Sequence, residues 1–184
     1  INPRIIMCVP SRITEVERRA VVESAVSAGA RTVYLIDEPV AALLGAGTDI
    51  LEPFGHMVVD IGGGTTDVAV TSLGGVVACD SIKCAGNALD ADIIRYYSDN
   101  YKLLIGERSA EEVKIKYANV FEPSAKDAGE VMGRSLINGM PAKAPVSELD
   151  IFRAVSEDVD KIARTAISVF EHTPPELIGD IYES

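Results

Sequence analysis

Residues 58 to 70 read VVDIGGGTTDVAV, two apolar runs separated by three consecutive glycines. The runs are expected as two buried strands, with Asp60 near the end of the first, where the backbone is about to reverse. Gly62, Gly63 and Gly64 remove every side chain from the bend, so backbone amides can approach a ligand closely. Thr65 and Thr66 add hydroxyl donors. A cradle of amides suits phosphate, and an acid beside it repels phosphate unless a metal ion or an attacking water lies between them. The alternative is a tight hairpin whose glycines serve backbone geometry alone.

The chain before this stretch predicts a strand over Ile5–Val9, ended by Pro10. Thr14 followed by Glu17 is a capping box for a helix running to about Ala28, with Gly29 as its stop. Thr32–Ile36 reads as a second strand, and Asp37-Glu38-Pro39 opens a short helix with proline in its first turn. This β-α-β-α order implies a parallel sheet, whose functional residues gather at the carboxyl ends of strands, where Asp37 and Glu38 lie.

From Met57 the pattern changes to antiparallel: Met57–Ile61, Asp67–Leu73 and Val76–Cys84. A helix is expected after Gly86, with Asn87 as N-cap and Leu89, Ile93 and Tyr97 on one face. Ser109, with Glu112 as its partner, is expected to start the next. A poorly periodic stretch follows to Pro145, with GEVMGRSL and MPAKAPVS as two short strand candidates. A long helix then spans about Ser147–Glu171 with Ile151, Val155, Val159, Ile162, Ala166 and Phe170 as its stripe. Thr173-Pro174-Pro175-Glu176 reads as a further capping box. The Pro and Gly of Glu52–Gly55 mark a boundary between two lobes.

Composition narrows the partners. With 184 residues and 47% hydrophobic content the chain is globular, and a formal net charge of −11 argues against nucleic acid, whose contacts depend on Lys and Arg. Cys8, Cys79 and Cys84 form no CxxC pair and are expected as small core residues of a reducing compartment. With only His56 and His172 available, a structural zinc site is not expected. No apolar run approaches a membrane span. Ile1–Pro3 lead straight into RIIMCV without an initiator methionine, and the other end stops in IYES. Both ends are expected to be cuts in something longer.

The blocks PSRITEVERRAVVESAVSAGARTVYLIDEPVAALLGAG, VVDIGGGTTDVAVTSLGG and YKLLIGERSAEEVKIK, with TPPEL near the end, resemble the MreB/Mbl family of bacterial actin-like cell-shape proteins. That family belongs to the superfamily of actin, the heat-shock chaperone ATPases and the sugar kinases. The resemblance implies an α/β fold of the actin-like (ribonuclease H-like) ATPase type, seen here as the end of a first lobe plus most of a second. Residues 1–56 are then the C-terminal part of the first lobe, 57–95 and 147–184 the core of the second, and 96–146 a small subdomain inserted in it. The family's Asp-x-Gly-Thr hairpin and adenine loop, and its membrane-contacting segments, have no counterpart in these residues.

The resemblance also implies ATP and Mg2+ as ligands. Gly62, Gly63, Gly64, Thr65 and Thr66 match the second phosphate loop. Asp60 acts on the metal through its waters, and Glu38 with Thr65 positions the attacking water. Gly86 matches a glycine that lets a helix start approach the nucleotide. Glu111 and Lys114 match the pair flanking ribose and adenine. Read without the family, Glu38 is a carboxylate favoured by a helix dipole. On the same terms Glu111 and Lys114 are a surface ion pair at i, i+3, and Gly86 meets the needs of a strand-to-helix turn.

The chain departs from the family at several positions. Asn87, Ala88 and Asp90 stand where Asp, Glu and a later Asp are common, Lys116 replaces an acid, Arg12 a glycine, and Asp67 the commoner Glu. The function implied is an ATP-hydrolysing filament protein that maintains rod shape by organising peptidoglycan synthesis. It would lie in the cytoplasm at the inner membrane surface, with a RodZ-like membrane protein and the cell-wall synthesis machinery as partners. Two other classes stay open: a small-molecule kinase of the same superfamily, and a nucleotide-independent scaffold.

Overall fold

The computed structural model describes residues 2–183. In chain order it forms β1 (Arg4–Val9), α1 (Glu15–Ser27), β2 (Thr32–Asp37), α2 (Glu38–Gly45), β3 (His56–Ile61), β4 (Thr66–Ser72) and β5 (Gly75–Ile82). There follow α3 (Gly86–Tyr101), β6 (Leu103–Leu104), α4 (Glu107–Tyr117), β7 (Asp127–Ser135), β8 (Pro141–Ser147), α5 (Glu148–Glu171) and α6 (Pro175–Glu183). These make two compact units. The first holds the residues up to Ile61, Thr66–Ile82 and the chain from Arg164 onward; the second holds Gly62–Thr65 and Lys83–Ala163.

In the first unit β1 and β2 are parallel neighbours, in register from Arg4 with Thr32 to Val9 with Asp37. The helix between them starts as its sequence dictates: Glu17 N–H donates to Thr14 Oγ1 at 3.2 Å and Thr14 N–H to Glu17 Oε2 at 2.7 Å. It ends at Gly29, whose φ of +104° lets Ala30 N–H turn back to the Ala25 carbonyl at 3.0 Å, a bond only a left-handed residue permits cheaply.

The antiparallel sheet runs β3-β4-β5. Strand β4 is central and buried without interruption from Thr66 to Thr71, its polar Thr66, Asp67 and Thr71 included. Strand β3 lies at the edge, so Val59 and Ile61 are 41% and 51% exposed and the first run is half-buried, where two buried strands are expected. Val68 and Val70 pack with Val169, Met57, Ala78, Leu177 and Ile181.

Three expectations fail here. Near the end of α5 the buried residue is Val169, not Phe170, because the stripe advances by three residues to stay on one face. Helix α6 starts at Pro175, one residue beyond the reach of a Thr173 cap, and the Thr173 hydroxyl donates instead to the Val169 carbonyl at 2.8 Å. Cys8 also departs from its expected core position and is exposed, whereas Cys84, in the second unit, is buried.

The second unit packs α3, α4 and the first part of α5 with the antiparallel sheet β6-β7-β8. Its core joins Ile93, Tyr97, Val113, Val131, Val146, Ile151 and Val155. Each such side chain contributes about 1.5–3 kcal/mol by leaving water. The aperiodic stretch does become a hairpin, at the two strand candidates.

Gly133 explains part of the weak pattern: a Cβ there would lie 2.4 Å from the Leu104 carbonyl oxygen, so only glycine lets β6 pass. The two-residue β6 is too short to show periodicity. Helix α4 accordingly begins at Glu107, two residues before the expected Ser109, with Gly106 as N-cap. Glu112 turns to Arg108 at 3.0 Å. Helix α3 begins at Gly86 with Ala85 as N-cap, so Asn87 is already helical and does not cap it.

Candidate functional site

In the first unit, Glu38 stands in the first turn of α2, with Asp37 as the N-cap residue. Asp37 is held by Arg18 of α1 at 2.7 Å. Asp60, on β3, pairs in register with Asp67 on β4. Burial pushes the Glu38 carboxyl above its ordinary value of 4.5, and the negative charges of Asp67 and then Asp60 push it further. The charges of Asp67 and Asp60 thus act on Glu38, which at the helix start is made more basic, as a proton acceptor needs.

Among the described residues no group of three or more His, Cys, Asp and Glu converges to hold a metal ion. Magnesium does not require one, since it keeps several waters and takes one or two carboxylates beside phosphate oxygens. The negative charge that Asp67 and Asp60 place on Glu38 fits a cation held nearby through water.

In the second unit, the glycine bend is closed by Gly62 N–H donating to the Thr65 carbonyl at 2.9 Å. Gly86 N–H donates to the Gly62 carbonyl at 3.0 Å and Asn87 N–H to the Gly63 carbonyl at 2.8 Å, so the start of α3 is stitched to the bend. Those bonds turn the loop carbonyls toward α3. Among the described residues the amides of Gly63, Gly64 and Thr65 donate to no other group of the protein. Three consecutive N–H groups without a protein acceptor beside a helix start are the donors an anion could use.

The glycines bear this out unequally. None of the three has positive φ. A Cβ on Gly62 would come within 3.2 Å of the Thr65 carbonyl, and one on Gly86 within 3.2 Å of the Gly62 carbonyl, so both meet close backbone approach. At Gly64 a Cβ would meet nothing within 4 Å. Neither a positive φ nor protein packing asks for glycine there, and the open space leaves room for a ligand. Thr65 is exposed beside the open amides, whereas Thr66 begins β4 fully buried.

Next to α3 a cavity of about 570 Å³ is lined by Asn87, Asp90, Ala91, Glu107, Arg108 and Glu111, among others. Glu111 therefore faces a space of ligand size. Lys114 does not pair with Glu111: its ammonium lies 2.9 Å from Asp90 Oδ1 and donates to the Gly86 carbonyl at 3.0 Å. Arg12, another departure from the family pattern, pairs with Asp80 on β5.

Sequence inspection missed the partnership of Asp67 with Asp60, although counting outward from the four-residue turn pairs 61 with 66 and then 60 with 67. The Lys114–Asp90 contact joins different helices and leaves no trace in local spacing.

The MreB/Mbl protein family model matches residues 1–184, the whole chain. The chain belongs to the MreB/Mbl family. It is 46% identical over 182 residues to the cell shape-determining protein Mbl of Bacillus subtilis, covering 99% of this chain and 55% of that one. It is 45% identical to the cell shape-determining protein MreB of Escherichia coli, covering 99% and 52%. Among solved structures, MreB5 of Spiroplasma citri bound to AMPPNP superposes with a TM-score of 0.90 at 38% identity, over 97% of this chain and 54% of that one. The same protein bound to ADP matches equally. The fold is therefore the actin-like α/β fold, and the chain spans about half the length of the MreB and Mbl relatives it matches.

Proposed function

We propose that this MreB/Mbl chain is the nucleotide-holding part of an ATP-hydrolysing filament protein that maintains rod shape by organising peptidoglycan synthesis. The observation that carries the nucleotide reading is the run of open amides at Gly63, Gly64 and Thr65 beside the α3 start. Support comes from the family, in which MreB5 of Spiroplasma citri has been solved with AMPPNP and with ADP.

In this account the amides of Gly63, Gly64 and Thr65, within the Gly62–Thr66 loop, hold phosphate oxygens, and Gly86 keeps the start of α3 close to them. Glu111 belongs to the ribose and adenine side, where the family pattern also puts Lys114. Glu38 with Thr65 orients the attacking water and accepts its proton as the water oxygen bonds to the γ-phosphorus and the bond to ADP breaks. Little else is needed, because phosphoryl transfer is mostly positioning and charge stabilisation. Asp60 would hold Mg2+ through its waters, and the ion, when bound, neutralises charge on the phosphates.

Self-assembly into filaments, attachment at the inner membrane surface from the cytoplasm, and docking of a RodZ-like membrane protein and the cell-wall synthesis machinery belong to the same proposal for the full-length protein. The test is to titrate the full-length protein with AMPPNP and to follow phosphate release and sedimentation with ATP. Binding, hydrolysis without any added acceptor, and ATP-dependent sedimentation are expected. Phosphorylation of an added small molecule would indicate a kinase instead, and sedimentation indifferent to ATP a scaffold.

A further inference from the structure

Lys114 is placed by the family pattern beside the nucleotide, yet its ammonium is already engaged inside the protein. It sits 2.9 Å from Asp90 Oδ1 and 3.0 Å from the Gly86 carbonyl, with the Lys114 and Asp90 side chains only 18% and 14% exposed. One of the ammonium donors goes to the Gly86 carbonyl, and Asp90 Oδ1, which has no hydrogen-bond partner among the described residues, is held as an ion pair. Asp90 and Glu111 line the neighbouring cavity, but Lys114 is not among its walls.

The Gly86 carbonyl belongs to the first turn of α3, and Asp90 stands one turn further on. Lys114, on α4, therefore holds the start of α3 at two points, one on each of its first two turns. The same turn sends its Gly86 and Asn87 N–H groups to the Gly62 and Gly63 carbonyls, at 3.0 and 2.8 Å. A continuous set of polar contacts thus runs from the Lys114 ammonium through the helix start to the back of the glycine bend. Its far end is the open row of Gly63, Gly64 and Thr65 amides. A partly covered ammonium that donates to a carbonyl makes a charge-assisted bond, stronger than a neutral contact, and the carboxylate beside it adds an ion pair. Glycine at 86 is part of the device, because a Cβ there would come within 3.2 Å of the Gly62 carbonyl.

We infer that Lys114 is a positioning residue for the phosphate loop: by holding the Gly86 carbonyl and the Asp90 carboxylate it fixes the start of α3, which in turn aims the amides of Gly63–Thr65. This rests on the nucleotide-binding role proposed above, and the experiment separates the two.

Amide hydrogen exchange is measured on the full-length protein without nucleotide, for the natural sequence and for Lys114→Met, Asp90→Asn, Lys114→Arg and Glu111→Gln. Each protein is also titrated with AMPPNP. A strut predicts that Lys114→Met speeds exchange at Gly86 and Asn87 about tenfold and weakens AMPPNP about tenfold. Asp90→Asn should shift exchange at the same two amides in the same direction, and Lys114→Arg should restore most of the protection. Glu111→Gln should weaken AMPPNP without changing exchange at either amide. Weaker AMPPNP binding in Lys114→Met with unchanged exchange would make Lys114 a direct ligand contact and overturn the inference, as would no effect on either. If the natural sequence fails to bind AMPPNP while the exchange effects persist, the nucleotide role falls and the strut stands. Should Lys114→Met not fold, the Asp90→Asn and Lys114→Arg arms decide by the same criterion.

Discussion

Asp60 and Asp67 are direct partners across the β3–β4 ladder, one near the end of the edge strand and the other almost buried, 5% exposed, in the central one. Like charges placed opposite one another in a sheet are unfavourable, and both charges bear on Glu38. The arrangement costs the fold something and leaves Glu38 more willing to take a proton.

That gives a pH signature. A proton-accepting Glu38 must be ionised, and its raised value means it protonates sooner as pH falls than a glutamate at 4.5. The acid limb of phosphate release should lie above that value. Asp67→Asn removes one of the raising charges, so the limb should move to lower pH, read from initial rates across the acid range. A limb that stays put would show that Asp67 does not act on Glu38.

Gly64→Ala separates ligand from fold. A Cβ there has open space and no left-handed backbone to oppose it, so thermal stability should stay within about 0.5 kcal/mol of the natural protein. AMPPNP affinity should fall about tenfold or more, because a methyl would stand where phosphate oxygens approach. Gly86→Ala should disturb both, since its Cβ would press on the Gly62 carbonyl at 3.2 Å.

Asp150 anchors the first turn of α5. Its carboxylate accepts from the Tyr96 hydroxyl at 2.6 Å, the Ser147 hydroxyl at 2.8 Å and the Tyr101 hydroxyl at 3.0 Å. Burial pushes its carboxyl up, but these bonds together with Arg153 outweigh burial and hold it below 3.8. The folded state therefore gains from the ionised form above 3.8 and loses that gain as pH falls through the lower folded value. Asp150→Ala should cost about 2–4 kcal/mol in a denaturant melt at neutral pH, since two tyrosine hydroxyls lose their partner.

Asp92 behaves oppositely. Burial first, and then the charge of Asp158, push its carboxyl above 3.8. As pH rises past that value the unfolded chain ionises first, so stability falls until the folded value is passed. Asp92→Asn should therefore raise the melting temperature at neutral pH by roughly 2–4 °C, equivalent to about 1 kcal/mol in a domain this size. The gain should vanish below 3.8, where Asp92 is protonated in both states.

Much of this could be read from residues whose neighbours are local. The Thr14–Glu17 cap, the Gly29 stop and the VVDIGGGTTDVAV hairpin depend on short spacings, and each is found in place. Asn87 and Ser109 misled because the backbone can start a helix without a side-chain cap. At Asn87 the first N–H groups are satisfied by the Gly62 and Gly63 carbonyls, which sequence spacing does not reveal. Asp67 was visible only as a substitution for a commoner residue, and its weight comes from burial opposite Asp60. Lys114 was legible as a position but not as a contact, because its partners lie on α3.

The central claim is that Glu38 orients and deprotonates water without holding the nucleotide. Its most direct test is Glu38→Ala in the full-length protein, comparing AMPPNP affinity with single-turnover phosphate release from ATP. The account predicts affinity within about threefold of the natural protein and release slowed by about 100-fold or more, the scale of a lost general base. Equal loss of binding and release, or release at the natural rate, would contradict it.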